Sequence, residues 1–164
     1  MTESPRAVHS LAEFKALLPA KGRLVGLDVG TETIGVAVSD GMRVVASPNL
    51  TIYRKKWSDD CAALSAMMEG QEIAGFVAGY PLNMDGSAGP RAQATRAFAR
   101  NLQAQFPLPL LLWDERLSTA AVTRMMIDEM DINRKRRDEL VDKLAASYIL
   151  QGVLDALSHE GMVQ

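Results

Sequence analysis

Three acidic positions in this chain sit where carboxylates are costly. Asp28 interrupts the apolar run Leu24-Val25-Gly26-Leu27-Asp28-Val29, and an ionised acid in such a run needs a cation or hydrogen bonds to offset its desolvation. Asp114-Glu115 follows Leu110-Leu111-Leu112-Trp113, the point where a strand leaves a sheet and where open α/β sheets gather ligands. Asp142 heads a row with Ala145, Ala146, Ile149 and Val153, the spacing of a helix face turned to a core. Each acid also has an ordinary reading. Asp28 can cap the turn at Gly30-Thr31, Asp114 and Glu115 can open a loop or favour the next helix start, and Asp142 can be a first-turn acid facing water. If acids from three elements meet, they repel one another unless a hard cation lies between them. Mg²⁺ (or Mn²⁺) suits such a site because it takes oxygen ligands, keeps several waters and accepts phosphate oxygens. Two such ions about 3.5–4 Å apart activate a water and stabilise the departing oxygen in phosphodiester cleavage.

Groups able to hold a polyanion are local. Basic residues cluster at Arg54-Lys55-Lys56, along Arg91, Arg96 and Arg100, and at Arg134-Lys135-Arg136-Arg137; runs of this kind either face water or track a phosphate backbone. The turn-rich loop Gly79-Tyr80-Pro81-Leu82-Asn83-Met84-Asp85-Gly86 feeds a helix whose free backbone N–H groups can take a phosphate. Lys56, Asn83, Arg91, Arg116, Arg134 and Arg137 are the substrate-contact candidates. Aromatic residues are too sparse among them to expect strong base stacking.

These side chains must be positioned by an α/β scaffold. Helix-like spacing of Leu11, Phe14, Leu17 and Leu18 predicts a first helix, stopped by Pro19 and Gly22. Strands are expected at 23–29, 34–39 and 42–46, with Asp40-Gly41 as a hairpin turn and 49–53 continuing or flanking the third strand. Beyond Trp57 the pattern alternates: helix 57–69, strand 73–79, a helix opened by Pro90, strand 108–113, a helix capped by Ser118 or Thr119 and bearing Val122, Met125 and Met126, and a last helix over about 138–157. An antiparallel meander followed by parallel strands predicts a mixed five-stranded sheet between helices, the ribonuclease H-like order.

The 164 residues suit one domain, with residues 1–20 expected as an N-terminal helical extension and 21–164 as the body. Eighteen Lys and Arg against 20 Asp and Glu give a net charge of −2, which excludes binding nucleic acid by bulk positive charge. One cysteine, Cys61, and two histidines near opposite termini exclude an internal disulfide and a structural zinc cluster. No membrane-length apolar run or secretory leader is visible, so a cytoplasmic protein is expected.

Four segments together resemble the YqgF family: Gly26-Leu27-Asp28-Val29-Gly30-Thr31 with Ile34-Gly35-Val36-Ala37-Val38-Ser39-Asp40; Tyr80-Pro81-Leu82-Asn83-Met84-Asp85-Gly86; Asp114-Glu115-Arg116-Leu117-Ser118-Thr119; and Asp142 with Ala145-Ala146 and Ile149-Leu150-Gln151. The resemblance spans about Leu24 to Leu157. Members of that family resemble Holliday-junction resolvases in fold and are described as pre-16S ribosomal RNA nucleases. It implies a ribonuclease H-like fold, a cytoplasmic bacterial enzyme maturing the 5′ end of 16S ribosomal RNA, and Asp28, Glu115 and Asp142 as the catalytic and metal-binding acids. Structured RNA is the implied partner and branched DNA the alternative, acted on by a monomer or homodimer. Two departures bear on substrate contacts: Thr33 stands where the family commonly has a basic residue, and Tyr80 where Leu is common.

Other classes remain to be weighed. Asp28-x-Gly30-Thr31 also reads like the first phosphate loop of actin-type and sugar kinases, but those enzymes close two such domains around a nucleotide and this chain has room for one. A non-catalytic ribosomal RNA-binding assembly factor would account for the basic clusters. A dinucleotide-binding fold fails, because Gly26, Gly30 and Gly35 do not form G-x-G-x-x-G and a strand follows the first turn.

Overall fold

The apolar run around Asp28 forms β1 (Arg23–Val29), the central strand of a five-stranded sheet, with neighbours on both sides and helices over both faces. The computed structural model describes residues 5–117 and 133–162. β2 (Thr33–Ser39) and β3 (Ala46–Tyr53) continue from β1 as an antiparallel meander, while β4 (Ile73–Tyr80) and β5 (Leu110–Asp114) add in parallel on the other side, giving the order β3-β2-β1-β4-β5. This is the ribonuclease H-like arrangement expected from the sequence.

Strand alternation divides the core in two. Val25, Leu27, Val36, Phe76 and Leu112 face α2 (Trp57–Met68) and α3 (Pro90–Gln105). Leu24, Ala37, Val77 and Leu111 face α1 (Leu11–Leu17) and the long α4 (Arg134–Met162), which supplies Ala145, Ala146, Ile149, Leu150 and Val153 to that layer. The apolar row headed by Asp142 is therefore buried against the sheet. Met67 and Met68 pack at the margin of the first layer; the expected helix carrying Val122, Met125 and Met126 lies outside the described residues.

Three boundaries differ from expectation. The Asp40-Gly41 pair does not make a two-residue hairpin: Asp40 Oδ1 accepts from the N–H groups of Val44 (2.7 Å) and Val45 (2.9 Å), closing a wider loop, so β3 begins at Ala46 rather than Met42. That same pair of backbone donors holds the Asp40 carboxyl below its ordinary pKa. β3 is an edge strand, which accommodates Pro48, and a bulge lies where the register slips between Val36 and Ala37. β5 starts at Leu110, two residues late, because Leu108 lies between two prolines that cannot donate to a ladder. α4 starts at Arg134 rather than near 138: Asn133 Oδ1 accepts from the Arg136 N–H at 2.9 Å, a cap that carries the helix through the basic run.

The residues before β1 are bound into the molecule. Val8 bridges Leu111 in parallel along the free edge of β5, with Val8 N–H to the Leu110 carbonyl at 2.9 Å and Leu112 N–H to the Val8 carbonyl at 2.8 Å, and Phe14 of α1 is fully buried. Among the described residues no helix is long and apolar enough to cross a membrane.

Candidate active site

Because β1, β4 and β5 are parallel, their carboxyl ends share one edge of the sheet, joined there by the start of β2 and the end of β3. Asp28 lies at that end of β1 and is 7% exposed. A Cβ on Gly26 would lie 2.7 Å from the Leu150 Cβ and 3.0 Å from the Ala146 carbonyl, so positions 24, 26 and 28 face α4. Asp28 pairs with Gly35 of β2. A Cβ on Gly35 would lie 2.0 Å from the Asp142 carbonyl oxygen and 2.4 Å from its carbonyl carbon. No side chain fits there; glycine lets the α4 backbone at Asp142 rest on the residue opposite Asp28.

Side chains then fasten that crossing. Thr33 Oγ1 donates to the Asp142 carboxylate. Thr51 Oγ1 donates to the Glu139 carbonyl at 3.0 Å, and the Tyr53 hydroxyl donates to the Glu139 carboxylate. Thr33 therefore ties α4 to β2 at Asp142 itself, and Thr51 and Tyr53 tie it to β3 at Glu139, about one helical turn earlier.

Glu115 arrives from the other side. The registers Leu27–Ala78 and Gly79–Trp113 set Asp28 level with Trp113, and Glu115 follows two residues later in the 3₁₀ turn Glu115–Leu117. It is 8% exposed. β4 lies between β1 and β5, so roughly 10 Å of sheet separates the two strands that carry Asp28 and Glu115. The three acids thus occupy one edge, with Asp28 and Asp142 on neighbouring elements and Glu115 two strands away. Among the described residues no three His, Cys, Asp or Glu side chains form a ready-made metal cluster. The donor chemistry of these acids is nevertheless that of Mg²⁺ or Mn²⁺, since carboxylates are hard oxygen ligands and the lone Cys61 is buried on α2.

The other predicted residues take distinct places. Asn83 shapes its loop: its N–H donates to the Ser87 carbonyl (2.9 Å), its carbonyl accepts from Gly86 (2.9 Å), and Nδ2 donates to Ser87 Oγ (3.0 Å). Gly86 adopts φ +86°, which the turn requires. In the same loop Asp85 accepts from the Ser87 hydroxyl and N–H, which hold its carboxyl below the ordinary range. Arg116 grips Asp114 through Nε (3.0 Å) and Nη2 (2.8 Å) and sends Nη1 to the carbonyls of Asn83 and Met84 at 3.3 Å. Those hydrogen bonds lower the Asp114 pKa and raise that of Arg116. Arg116 therefore staples the end of β5 to the loop after β4.

Arg91 is exposed on the first turn of α3, whose N-cap, Gly89, offers no side chain. Lys56 is exposed at the N-cap of α2, three residues beyond the end of β3. Arg137 is half-buried on α4, and the side chain of Arg134 lies outside the described residues. Sequence reasoning noted Thr33 only as a departure from the family pattern and Arg54 only within a basic cluster, and did not single out Gly35 for the site. Arg54 Nη1 donates to the Gly30 carbonyl at 2.7 Å, bracing the turn after Asp28. The available signal was the shared parity of 33 and 35 on β2, which gains meaning only once α4 is known to cross there.

A family model described as RuvX, Holliday junction resolvase, matches residues 22–156. The chain belongs to the RuvX family. The matched span contains all three acids and omits the segment along the β5 edge. A Rhodobacter capsulatus relative named "Putative pre-16S rRNA nuclease" is 60% identical over 149 residues, covering 91% of this chain and 93% of that one. A Cereibacter sphaeroides relative of the same name is 58% identical over 153 residues, covering 93% and 95%. This RuvX chain is accordingly a nuclease, a hydrolase of nucleic-acid phosphodiester bonds. Among solved structures, Thermus thermophilus RuvC in complex with a Holliday junction substrate aligns at TM-score 0.49 and 12% identity over 83% of this chain and 96% of that one, which adds nothing to the topology above.

Proposed function

We propose that this RuvX chain is a divalent-metal-dependent endonuclease of precursor 16S ribosomal RNA, with Asp28, Glu115 and Asp142 as its catalytic and metal-holding carboxylates. The observation that carries the site is the seating of Asp142 on Gly35, the strand partner of Asp28. Two nine-tenths-buried acids at the same sheet edge support it, because such burial is tolerated where a cation offsets the charge. The substrate comes from the names of the relatives, and a cytoplasmic site of action follows from it.

Bound Mg²⁺ or Mn²⁺ would supply an activated water and stabilise the leaving oxygen. The protein's own part is positional. Thr33 holds the Asp142 carboxylate to the start of β2, the Gly26 and Gly35 contacts set the depth of α4, and Arg116 fixes the β5 exit from which Glu115 projects. Lys56, Arg91 and Arg137 would meet backbone phosphates beside the edge, while Asn83 keeps the loop after β4 in shape. Incubation of the full chain with precursor 16S RNA and with a four-way DNA junction, each in Mg²⁺ and in EDTA, tests the reading. Mg²⁺-dependent cutting of the RNA is expected. Preferential cutting of the junction would overturn the substrate, and equal cutting in EDTA would overturn the metal.

A further inference from the structure

On the face of the sheet away from α4, a cleft of about 660 Å³ opens between α3 and the segment that runs along β5. Its walls carry Arg6, His9, Arg96, Arg100 and Gln103, with Leu112 at the base. Two unrelated elements build it. On α3, the spacing 96, 100, 103 is a single stripe down one helix face. On the N-terminal segment, Val8 packs with the α4 layer while Ala7 packs with the α3 layer, so the strand-like alternation sends His9 to the α3 side as well. The two bridging hydrogen bonds at Val8 fix that segment against β5.

The cleft is positively charged and prearranged. Among the described residues, Arg6, Arg96 and Arg100 have no carboxylate within salt-bridge reach. Arg96 is held: its Nη2 donates to the Tyr80 hydroxyl at 2.7 Å and its guanidinium lies 5.9 Å from the Tyr80 ring centre. The His9 ring meets the same tyrosine edge-on at 5.1 Å. Tyr80 thus orients two of the groups that line the cleft. Buried Gln103 donates Nε2 to the Leu108 carbonyl at 2.9 Å, which anchors the floor. Three guanidinium groups around one concavity, with apolar surface at its base, fit a phosphate attached to a flat organic group, and the volume lies in the range of small-ligand sites.

We propose that this cleft binds a nucleoside phosphate, either one nucleotide of an RNA strand passing the catalytic edge or a free nucleotide. Tyr80, which holds Arg96, pairs in register with Asp114, next to Glu115, so the Arg96 end of the cleft is the end toward that edge, on the face of the sheet away from α4. Only the RNA alternative rests on the nuclease reading. The segment that forms one wall precedes the family-matched span, which begins at residue 22, while the α3 wall and the base lie within it.

The test reads binding, not cleavage, so it does not depend on the nuclease reading. Affinities for adenosine monophosphate and for a short single-stranded RNA are measured in EDTA, over a range of salt, for the full chain and its R96Q/R100Q and R6Q variants; thermal melts check folding. Arg6 is exposed, so R6Q keeps the question open to refutation should the double variant fold poorly. Loss of charge-assisted hydrogen bonds predicts about tenfold or greater weakening in the double variant and a smaller loss in R6Q. For RNA, the salt slope falls by about 0.7 per lost phosphate contact. Weakening of RNA alone identifies a strand contact, and weakening of the mononucleotide identifies a free-nucleotide site. Affinities for both probes unchanged in folded variants, or no binding of either by the parent chain, would overturn the proposal.

Discussion

The two faces of the sheet's carboxyl edge are built on different principles. On the α4 face, backbone meets backbone: Gly26 and Gly35 admit the helix, and Asp142 is seated against β2 with no side chain between them. On the α3 face, exposed guanidinium groups line an open cleft and one tyrosine orients Arg96 among them. The first arrangement fixes carboxylates to within the tolerance of a packed core; the second sets a charge field that water and salt can screen. Substitutions on the α4 face should therefore change stability and turnover together. Those on the α3 face should change affinity and its salt dependence.

The sharpest way to break that contrast is to remove a carboxylate without disturbing packing. Asp28→Asn should lower the rate of RNA cleavage by a factor on the order of 10³ or more, the scale of losing an electrostatic anchor of the transition state, with an unchanged melting curve. Near-normal turnover would take Asp28 out of the mechanism. Gly35→Ala should act through structure, since its Cβ would collide with the Asp142 carbonyl. Overpacking of this kind costs about 1–3 kcal/mol, and a melting temperature lower by roughly 2–4 °C per kcal/mol should accompany reduced turnover. Were Gly35→Ala as stable and active as the parent, the close crossing of α4 would not matter.

A subtler change is Thr33→Val, which keeps shape and deletes the hydrogen bond to Asp142. A loss of about 1 kcal/mol is expected, read as a several-fold fall in kcat with KM little altered. An increase in KM alone would instead make Thr33 a substrate contact. The smallest effect is expected at Arg116. Its hydrogen bonds depress the Asp114 pKa, so the stability they contribute is present above the unfolded value of about 3.9 and is lost as pH falls through the depressed folded value. Arg116→Met should move the Asp114 carboxyl back toward its ordinary pKa in an NMR titration and flatten the acid limb of the stability curve. An unshifted Asp114 titration would show that something else holds it.

What was legible in the sequence follows the same division. Local pattern sufficed for the strands, their order and the buried acid on β1, because an apolar run with one carboxylate and the row headed by Asp142 are one-dimensional signals. The onset of β3 was misplaced because Asp40 capping its own loop competes with a tight Asp-Gly turn. The start of α4 was read late because a run of basic residues looks like a solvated loop until Asn133 caps it. The seating of Asp142 on Gly35 depends on the path of a helix over two strands, and the arginine-lined cleft depends on Val8 bridging Leu111 of β5 a hundred residues away. Neither is encoded in local spacing.

The central claim is that carboxylates from β1, the β5 exit and α4 act as one metal site. Electron paramagnetic titration of the full chain with Mn²⁺, comparing the parent with Asp28→Asn, Glu115→Gln and Asp142→Asn, tests it most directly. Each substitution should weaken Mn²⁺ binding while the protein remains folded. A Glu115→Gln variant that binds Mn²⁺ as the parent does would contradict it.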